Sequence, residues 1–318
     1  MPNLTNELAD KIALGRAFAF VRMPGVGSCF FDNPVFGPAP EVGPYFRISL
    51  WDKGEKGFRA VSRAEYLASL RELIKELSPD MPKVVFSRTI QGRIRSSELA
   101  PRITEFFDSF PEALAFVFYH PETGLWFGAT PELLLADDGA GRLSTMALAG
   151  TRPSGTSGPW DDKNMREHAY VIDYIVEILS SAGATDLSVS STRTMPYGPV
   201  EHLFTPISAR IGKTDFSEIV AELSPTPALC GFPRDKARAA IARHESHSRG
   251  CYGSHFEFRM PGSDVRMAYV NLRCAHVDSM GLWTAFVGGG IVAGSVPEDE
   301  WEETSRKASR LVKILGRE

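Results

Sequence analysis

The chain has 318 residues, of which 43% are hydrophobic and 23% charged, as expected for a globular protein with a sizeable core. A net charge of −4 leaves no surplus of basic residues for nucleic acid or an anionic membrane. No stretch reaches the roughly 18 apolar residues that a membrane span needs, the N-terminus lacks the apolar core of a signal peptide, and no C-x-x-C pair suggests zinc. We therefore expect a cytoplasmic protein with no nucleic-acid or membrane partner.

Hydrophobic periodicity and turn residues predict a mixture of helices and strands along the chain. In chain order, the predicted elements are a helix over 4–17 capped by Thr5, short strands within 18–50, a helix over 63–77, strands over 83–90, 115–119, 125–128 and 143–148, a helix over 167–182, a strand over 186–193, helices over 218–223 and 234–243, strands over 268–275 and 282–287, and a helix over 301–315. These elements do not follow a βαβ rhythm, which argues against a Rossmann or TIM fold. The prediction is an α+β protein, a single large layered domain over 1–318 with antiparallel sheets and flanking helices.

The segment GGGIVAGSVPEDEWEETSRK, residues 288–307, places concentrated negative charge directly after a glycine turn. It formally contains a dinucleotide fingerprint, but that fingerprint needs a helix to begin within the motif, and here the helix begins only near Pro297, with Ser295 as the expected cap. Glu300, Glu303 and Lys307 recur at a spacing that puts them on one helical face. Taken alone, this spacing also fits a simple Glu303–Lys307 pair on the surface.

The same segment resembles the C-terminal signature of the chorismate-utilising enzymes, and further likenesses recur in order along the chain. They are KVVFSR (83–88), FGATPELLL (127–135), ALAGTRPSG (147–155), REHAYVID (166–173), SPTPALCGFP (224–233), RGCYG (249–253) and VNLRCAHV (270–277). The resemblance implies the chorismate-binding, anthranilate synthase component I-like fold. It covers 81–318 as a motif-bearing catalytic portion and leaves 1–80 as a shortened N-terminal portion.

The resemblance implies a Mg²⁺ ion bound by Glu167 and Glu303, with Glu300 acting through water. Magnesium is suited to such a site because it takes a few carboxylates, keeps several waters and accepts substrate oxygen. Most relatives carry an acid one helical turn before the position of Glu167, whereas this chain has Asn164 there. One negative charge is thus missing, although the amide keeps an oxygen for a bound water.

The resemblance also implies which groups hold the carboxylates of the substrate. The expected substrate-binding residues are Gly150, Thr151, His202, Ala228, Tyr252, Arg273, Gly288, Gly289 and Lys307. Arginine can bind a carboxylate through two parallel hydrogen bonds, and bare glycine backbone can approach a ligand closely. For His202, a role in positioning the substrate and a purely structural role both remain open.

A few positions indicate the kind of chemistry within the family. Lys83 stands where amine-transferring relatives carry Gln, and resembles the general base of the enzymes in which water attacks the ring. Glu132 matches the general acid. Ala149 replaces the nucleophilic lysine of one group of aminodeoxychorismate synthases, and Ala228 replaces the threonine of many salicylate and anthranilate enzymes.

Together these positions predict an isomerase, an isochorismate synthase. It would add water at C2 of chorismate and release the C4 hydroxyl, for menaquinone or siderophore biosynthesis, with Mg²⁺ as cofactor and no obligatory amidotransferase subunit. Two alternatives are a salicylate synthase, which goes on to release pyruvate, and a non-catalytic chorismate-binding subunit.

Overall fold

A computed structural model describes residues 4–40, 42–198, 200–212 and 214–317, and these form an α+β fold. Its helices are α1 (Leu4–Leu14), α2 (Arg63–Glu76), α3 (Ser96–Asp108), α4 (Asp162–Ser181), α5 (Phe216–Leu223), α6 (Arg234–His244) and α7 (Pro297–Leu315). Its strands are β1 (Phe18–Met23), β2 (Gly27–Asp32), β3 (Tyr45–Ile48), β4 (Lys83–Arg93), β5 (Leu114–His120), β6 (Gly124–Thr130), β7 (Leu133–Asp137), β8 (Arg142–Pro153), β9 (Thr185–Val189), β10 (Arg193–Tyr197), β11 (Val200–Arg210), β12 (Gly231–Phe232), β13 (His255–Arg259), β14 (Arg266–Val270), β15 (Cys274–Val277) and β16 (Leu282–Ile291). No helix in these ranges is long and apolar enough to cross a membrane.

The strands form two sheets whose ladders are all antiparallel among the described residues. The first sheet has the order β12-β4-β16-β15-β6-β5-β1-β2, and the second has the order β10-β11-β8-β7-β14-β13-β3 with β9 added on β11. β16 and β4 pair without interruption, from Leu282 opposite Arg93 to Ile291 opposite Val84. β15 pairs with β16 only through Trp283–Ala285, so the glycine end of β16 has a strand on one side alone.

The two sheets face each other across the largest apolar cluster. Phenyl rings from opposite sheets touch there, with ring centres 4.6 Å apart for Phe116 and Phe256 and 5.9 Å apart for Phe46 and Phe118. Helices α4 and α5 contribute buried side chains to this cluster, whereas α1, α3 and α7 pack with the first sheet in a second one. Helices α2 and α6 complete a third cluster around β4.

The predicted strand over 268–275 is wrong in one instructive way. It is two strands, because β14 belongs to the second sheet and β15 to the first. The chain crosses between the sheets at Arg273, whose backbone has a φ of 51°, a conformation rare outside glycine. The crossing places the side chain of Arg273 where the two sheets meet.

Two predicted helix caps are also wrong, and one helix begins earlier than expected. Thr5 lies inside α1 and its hydroxyl bonds Thr104, while α7 is preceded by Val296, and the Ser295 hydroxyl accepts instead from the Val292 amide. Pro297 does occupy the first turn of α7. The predicted helix over 167–182 begins at Asp162, because Asp161 accepts a hydrogen bond from the Asn164 amide and caps it there.

Candidate active site

Strand ends from both sheets, together with α4 and α7, surround a cavity with an empty volume of about 630 Å³. All nine predicted substrate-binding residues line it, and so do Glu132 and Glu167. These residues come from segments more than 150 positions apart in the chain. The fold therefore brings the predicted binding residues to one place, while their roles stay predictions.

Arg273 presents an unused hydrogen-bond donor in this cavity. Its Nη2 lies 3.1 Å from Nε2 of His202, its guanidinium lies 4.9 Å from the ring centre of Tyr197, and its Nη1 is buried without a partner. Burial lowers the pKa of this guanidinium from its usual value. An orphaned buried donor is costly in a native protein, so Nη1 is suited to receive an anionic ligand.

His202 holds Arg273 in place. Its Nδ1 lies 2.9 Å from the carbonyl oxygen of Gly150 and 3.2 Å from the hydroxyl of Thr151. Burial, followed by the charges of Arg273 and Lys307, lowers the pKa of His202 to about 3, so the ring is neutral. In the neutral ring, Nδ1–H donates to Gly150 and Nε2 accepts from Arg273. The histidine thus orients the arginine.

Glu132 lies between β6 and β7 and is buried in the cavity wall. Its side-chain oxygen Oε1 lies 3.4 Å from the hydroxyl of Thr226, which donates to it. Burial raises the pKa of Glu132 to about 8, against smaller lowering effects of Thr226 and Lys83. The carboxyl is therefore protonated at neutral pH and can donate a proton.

Lys83 begins β4 and is fully buried, although it does not line the cavity itself. Its Nζ lies 3.1 Å from Oε1 of Glu167, but the angle is not that of a hydrogen bond, and Nζ has no other partner. The ammonium is close enough to lower the pKa values of Glu132 and His168. Lys83 thus stands behind the cavity wall, beside Glu167.

Three carboxylates converge on the glycine end of β16. A Cβ placed on Gly290 would lie 2.1 Å from Oε1 of Glu167, and one on Gly289 would lie 3.2 Å from Oε2 of Glu300 and 3.4 Å from Oε1 of Glu303. The absence of side chains on these glycines gives the carboxylates their room. Burial, and then the charge of Glu303, raises the pKa of Glu300 from its usual value.

Each of the three carboxylates is paired with one lysine. Besides Lys83 and Glu167, Lys163 donates to Oε1 of Glu300 at 2.6 Å, and Lys307 donates to Oε1 of Glu303 at 2.6 Å. The Glu303–Lys307 pair is mostly buried, with side-chain exposures of 16% and 12%, so it is not the surface pair that the spacing alone allows.

The donor set of this region suits Mg²⁺ in chemistry. Mg²⁺ usually takes one or two carboxylates from a protein and keeps several waters, and Oε2 of Glu300 is a buried acceptor that makes no hydrogen bond with the described residues. Within the described ranges, no group of three or more His, Cys, Asp or Glu side chains is already drawn together as a metal cluster. Each of the three carboxylates instead has a lysine Nζ within 3.1 Å.

Asn164 does not have the free oxygen that we expected. Its Oδ1 accepts a hydrogen bond from the Thr151 amide at 3.0 Å, and its Nδ2 donates to Asp161. The amide therefore ties the start of α4 to β8, next to Gly150.

The glycine backbone is open on one side of β16. Since N–H and C=O groups alternate in direction along a strand, and the Gly288 carbonyl accepts from Lys307 at 3.1 Å, Gly288 faces away from β4. The same alternation turns the Gly289 amide toward β4. Gly288 is thus the one of these two glycines whose amide is open to a ligand.

Sequence reasoning missed Lys163 and Thr226 as parts of this site. Lys163 precedes Glu167 by four residues, a spacing that puts both on one face of α4, so periodicity could have found it. The contact between Thr226 and Glu132 joins segments 94 residues apart, and no local pattern indicates it.

Comparison with known proteins places this geometry in context. A family model described as chorismate binding enzyme matches residues 53–316. The chain is 36% identical over 187 residues to the isochorismate synthase MenF of Escherichia coli, covering 55% of this chain and 42% of that protein. It is 30% identical over 256 residues to the isochorismate synthase EntC of the same organism, covering 75% and 63%.

The fold agrees with a solved structure as well. The menaquinone-specific isochorismate synthase MenF from Escherichia coli superposes with a TM-score of 0.71 at 27% identity, covering 88% of this chain and 65% of that one. The chain spans about half the length of the curated relatives that it matches first, with 42% and 50% of their lengths covered.

Proposed function

Because the chain belongs to the family of chorismate-binding enzymes, we propose that it is an isochorismate synthase that converts chorismate into isochorismate. The observation that carries this proposal is Glu132, a buried carboxyl in the cavity wall whose pKa of about 8 keeps it protonated at neutral pH. A carboxylic acid held in this form can give a proton to a leaving hydroxyl.

The carboxylates of chorismate bind to the fixed donors of the cavity. Nη1 of Arg273 has no partner in the protein, and His202 fixes the plane of the guanidinium from the other side. Gly288, whose amide is open, and Lys307 line the same cavity. Several fixed donors orient the ring as well as attract it.

Acid and base then act on the ring. Lys83, in its neutral amine form, accepts a proton from the water that bonds to C2, the double bonds shift, and Glu132 gives its proton to the C4 oxygen, which leaves as water. One water is consumed and one released, so the overall reaction is an isomerisation. General acid and general base catalysis of this kind each contribute about 10²–10⁴-fold.

Glu167 and Glu303 would hold a Mg²⁺ ion, with Glu300 beside them. When bound, the ion neutralises the carboxylate on the ring and fixes its position. The chain's own contribution is the three carboxylates and the two bare glycines, Gly289 and Gly290, that leave space for them.

Water rather than ammonia is the proposed nucleophile, so we propose that the enzyme acts without an amidotransferase subunit. Lys83, which stands where amine-transferring relatives carry Gln, is fully buried beside Glu167. Ala228 lines the cavity and has no hydroxyl with which to assist elimination of pyruvate. The product is therefore isochorismate.

The purified chain with chorismate and Mg²⁺, analysed by liquid chromatography, tests this proposal. Isochorismate is the expected product, and Lys83→Gln should abolish its formation, since an amide cannot accept a proton near neutral pH. Salicylate with equimolar pyruvate would replace the proposal with a salicylate synthase. Unchanged chorismate, with binding retained in calorimetry, would make the chain a non-catalytic chorismate-binding subunit.

A further inference from the structure

One ion pair of the site has no role in the proposed reaction. The side chain of Lys163 is about one-third exposed, at 32%, and its Nζ donates to Oε1 of Glu300, which is almost fully buried at 2%. Lys83 and Lys307, by contrast, serve as base and as substrate ligand in the proposed mechanism. Lys163 lies on α4 one helical turn before Glu167, so α4 sends one lysine and one glutamate to the same place.

The two oxygens of Glu300 are in different situations. Oε1 is held by Lys163 at 2.6 Å, while Oε2 is buried and makes no hydrogen bond of good geometry with the described residues; the Ser295 hydroxyl is near enough to lower the pKa of the carboxyl. Oε2 is also the oxygen nearest to Gly289, 3.2 Å from where a Cβ would stand, next to Oε1 of Glu303 at 3.4 Å from the same point. A buried acceptor left open in this way is aimed at something that the protein does not supply.

We propose that Lys163 is a positioning residue of the metal site, which holds one oxygen of Glu300 so that the other faces the ion or its water. This inference rests on the proposed magnesium site. The ion pair joins α4, which carries Glu167, to α7, which carries Glu303. Lys163 thus also sets the spacing between the two helices whose glutamates bind the metal.

Removal of Lys163 should change the metal affinity in the opposite direction to the one that simple electrostatics predicts. A positive charge near a cation site repels the cation, so its removal should strengthen metal binding. If Lys163 instead positions Glu300, its removal lets the carboxylate rotate, and metal binding should weaken. Loss of a group that orients a metal ligand commonly lowers affinity by about 10–100-fold.

Mn²⁺, a divalent probe for the magnesium site, can be titrated into the purified chain and followed by electron paramagnetic resonance of the free ion. We expect Lys163→Met to weaken Mn²⁺ binding by about 10–100-fold, and Lys163→Arg to recover part of the loss because it keeps a donor for Glu300. Arg166→Gln is the matched control, because Arg166 is an exposed cation on the same helix that donates to the Asp162 carbonyl. The Mn²⁺ affinity of the Arg166→Gln variant should stay within about twofold of that of the unmodified chain, since an exposed charge is screened.

Unchanged or tighter Mn²⁺ binding by Lys163→Met would overturn the role of Lys163. Glu303→Gln separates this result from a failure of the metal site. If Glu303→Gln abolishes binding while Lys163→Met does not weaken it, the site stands and the positioning role falls. If Mn²⁺ does not bind the unmodified chain, or Glu303→Gln binds it equally well, both fall. Far-ultraviolet circular dichroism confirms that each variant is folded.

Discussion

One buried carboxyl in the cavity wall, that of Glu132, is suited to act as a proton donor. Glu132 has only the Thr226 hydroxyl as a side-chain partner, and burial dominates its pKa of about 8. In the unfolded chain, the same group ionises near its ordinary value of 4.5. The difference makes Glu132 both a proton donor at neutral pH and a source of pH-dependent instability.

Replacing Glu132 with Gln should therefore stabilise the fold in a pH-dependent way. Because the folded pKa is raised, the contribution of Glu132 to stability is intact below about 4.5, falls as pH rises, and is fully lost above about 8. Gln does not ionise, so the Gln variant does not lose this stability. As pH rises, its free energy of unfolding should come to exceed that of the unmodified protein by roughly 3 kcal/mol or more. Urea unfolding at about pH 5 and about pH 9 measures it.

A pH-independent difference between the two proteins would show that Glu132 is not buried as a protonated acid. The variant should at the same time lose activity by about 10²–10⁴-fold, since Gln cannot donate a proton to the leaving group. Greater stability with less activity is the combination expected of a group that serves catalysis at the expense of the fold.

Arg273 likewise has a group that does not contribute to stability but is suited to ligand binding, here a hydrogen-bond donor. Its backbone adopts a left-handed φ and its Nη1 is unpaired, so the protein gains nothing from this nitrogen until an anion binds. His202 and Tyr197 keep the guanidinium in position meanwhile.

Arg273→Lys keeps the charge but removes the planar fork. We expect KM for chorismate to rise by roughly tenfold or more, because one of two parallel hydrogen bonds to a carboxylate is lost. Thermal stability should fall less than binding, since Nη1 contributes no internal contact and only the contacts with His202 and Tyr197 are lost. Steady-state kinetics and a thermal melt test both parts, and a collapse of the fold with an unchanged KM would mean that Arg273 is a structural strut.

At the scale of elements, the site depends on the glycine end of β16, which has no side chains. Gly290 of β16 faces Glu167 on α4 and Gly289 faces Glu300 and Glu303 on α7, so a side chain on either glycine would crowd a carboxylate.

Gly290→Ala should displace Glu167. The new methyl group would lie 2.1 Å from Oε1, and the carboxylate end must move, although the backbone of Gly290 is compatible with alanine. We expect Mn²⁺ affinity to fall by at least about tenfold, with little loss of stability. Gly294→Ala is the control, because nothing lies within 4 Å of its Cβ position. If Gly290→Ala and Gly294→Ala bound Mn²⁺ with equal affinity, the metal would not bind beside Glu167.

The sequence predicted most elements that have a clean period or strong turn residues, but missed five, which are α3, β7, β11, β12 and β13. Helix α3 contains Pro101, which breaks the helical pattern, and β11 contains Pro206 among polar residues. β13 alternates buried polar with buried aromatic residues, because both faces of this strand are covered. The predicted strand over 186–193 is in fact two short strands, β9 and β10, which pair with successive stretches of β11, β10 with residues 200–204 and β9 with residues 207–210.

The site was more predictable than the fold around it. The motif positions of all nine predicted substrate-binding residues line one cavity, since a family likeness carries three-dimensional proximity that periodicity cannot. The sequence could not indicate which side chains form hydrogen bonds or ion pairs with each other. That Asn164 bonds Thr151, or that Glu300 pairs with Lys163, follows from how α4 meets β8 and α7.

At the scale of the whole molecule, one buried ion pair ties β4 to the segments that carry Leu229, Glu245 and Arg249. Arg249 binds both carboxylate oxygens of Glu245, and also donates to the carbonyl oxygens of Leu229 at 2.7 Å and Val85 at 2.8 Å. Glu245 in turn accepts from the amide of Ser87. Burial opposes the charged form of Glu245, but Arg249 outweighs it and lowers the pKa of the carboxyl.

Arg249→Met should destabilise the protein by about 3–5 kcal/mol, because it leaves Glu245 buried without its counter-charge. The double variant with Glu245→Gln should recover part of this loss. Arg95→Met, which breaks the exposed pair between Arg95 and Glu98, should leave the unfolding midpoint unchanged. Urea titrations of the four proteins decide the matter, and a loss for Arg249→Met no larger than for Arg95→Met would contradict it.

The place of β16 in the first sheet has a consequence for how the protein is made. β16 is the last strand along the described chain, yet it lies between β4 and β15. During synthesis, which proceeds at about 5–20 residues per second, β4 waits nearly two hundred residues for this neighbour with its hydrogen-bonding edge open. We expect nascent chains stalled before residue 282 to be protease-sensitive and to need a chaperone. The cavity, with its glycines and the helix of Glu303, can form only when this last segment has left the ribosome.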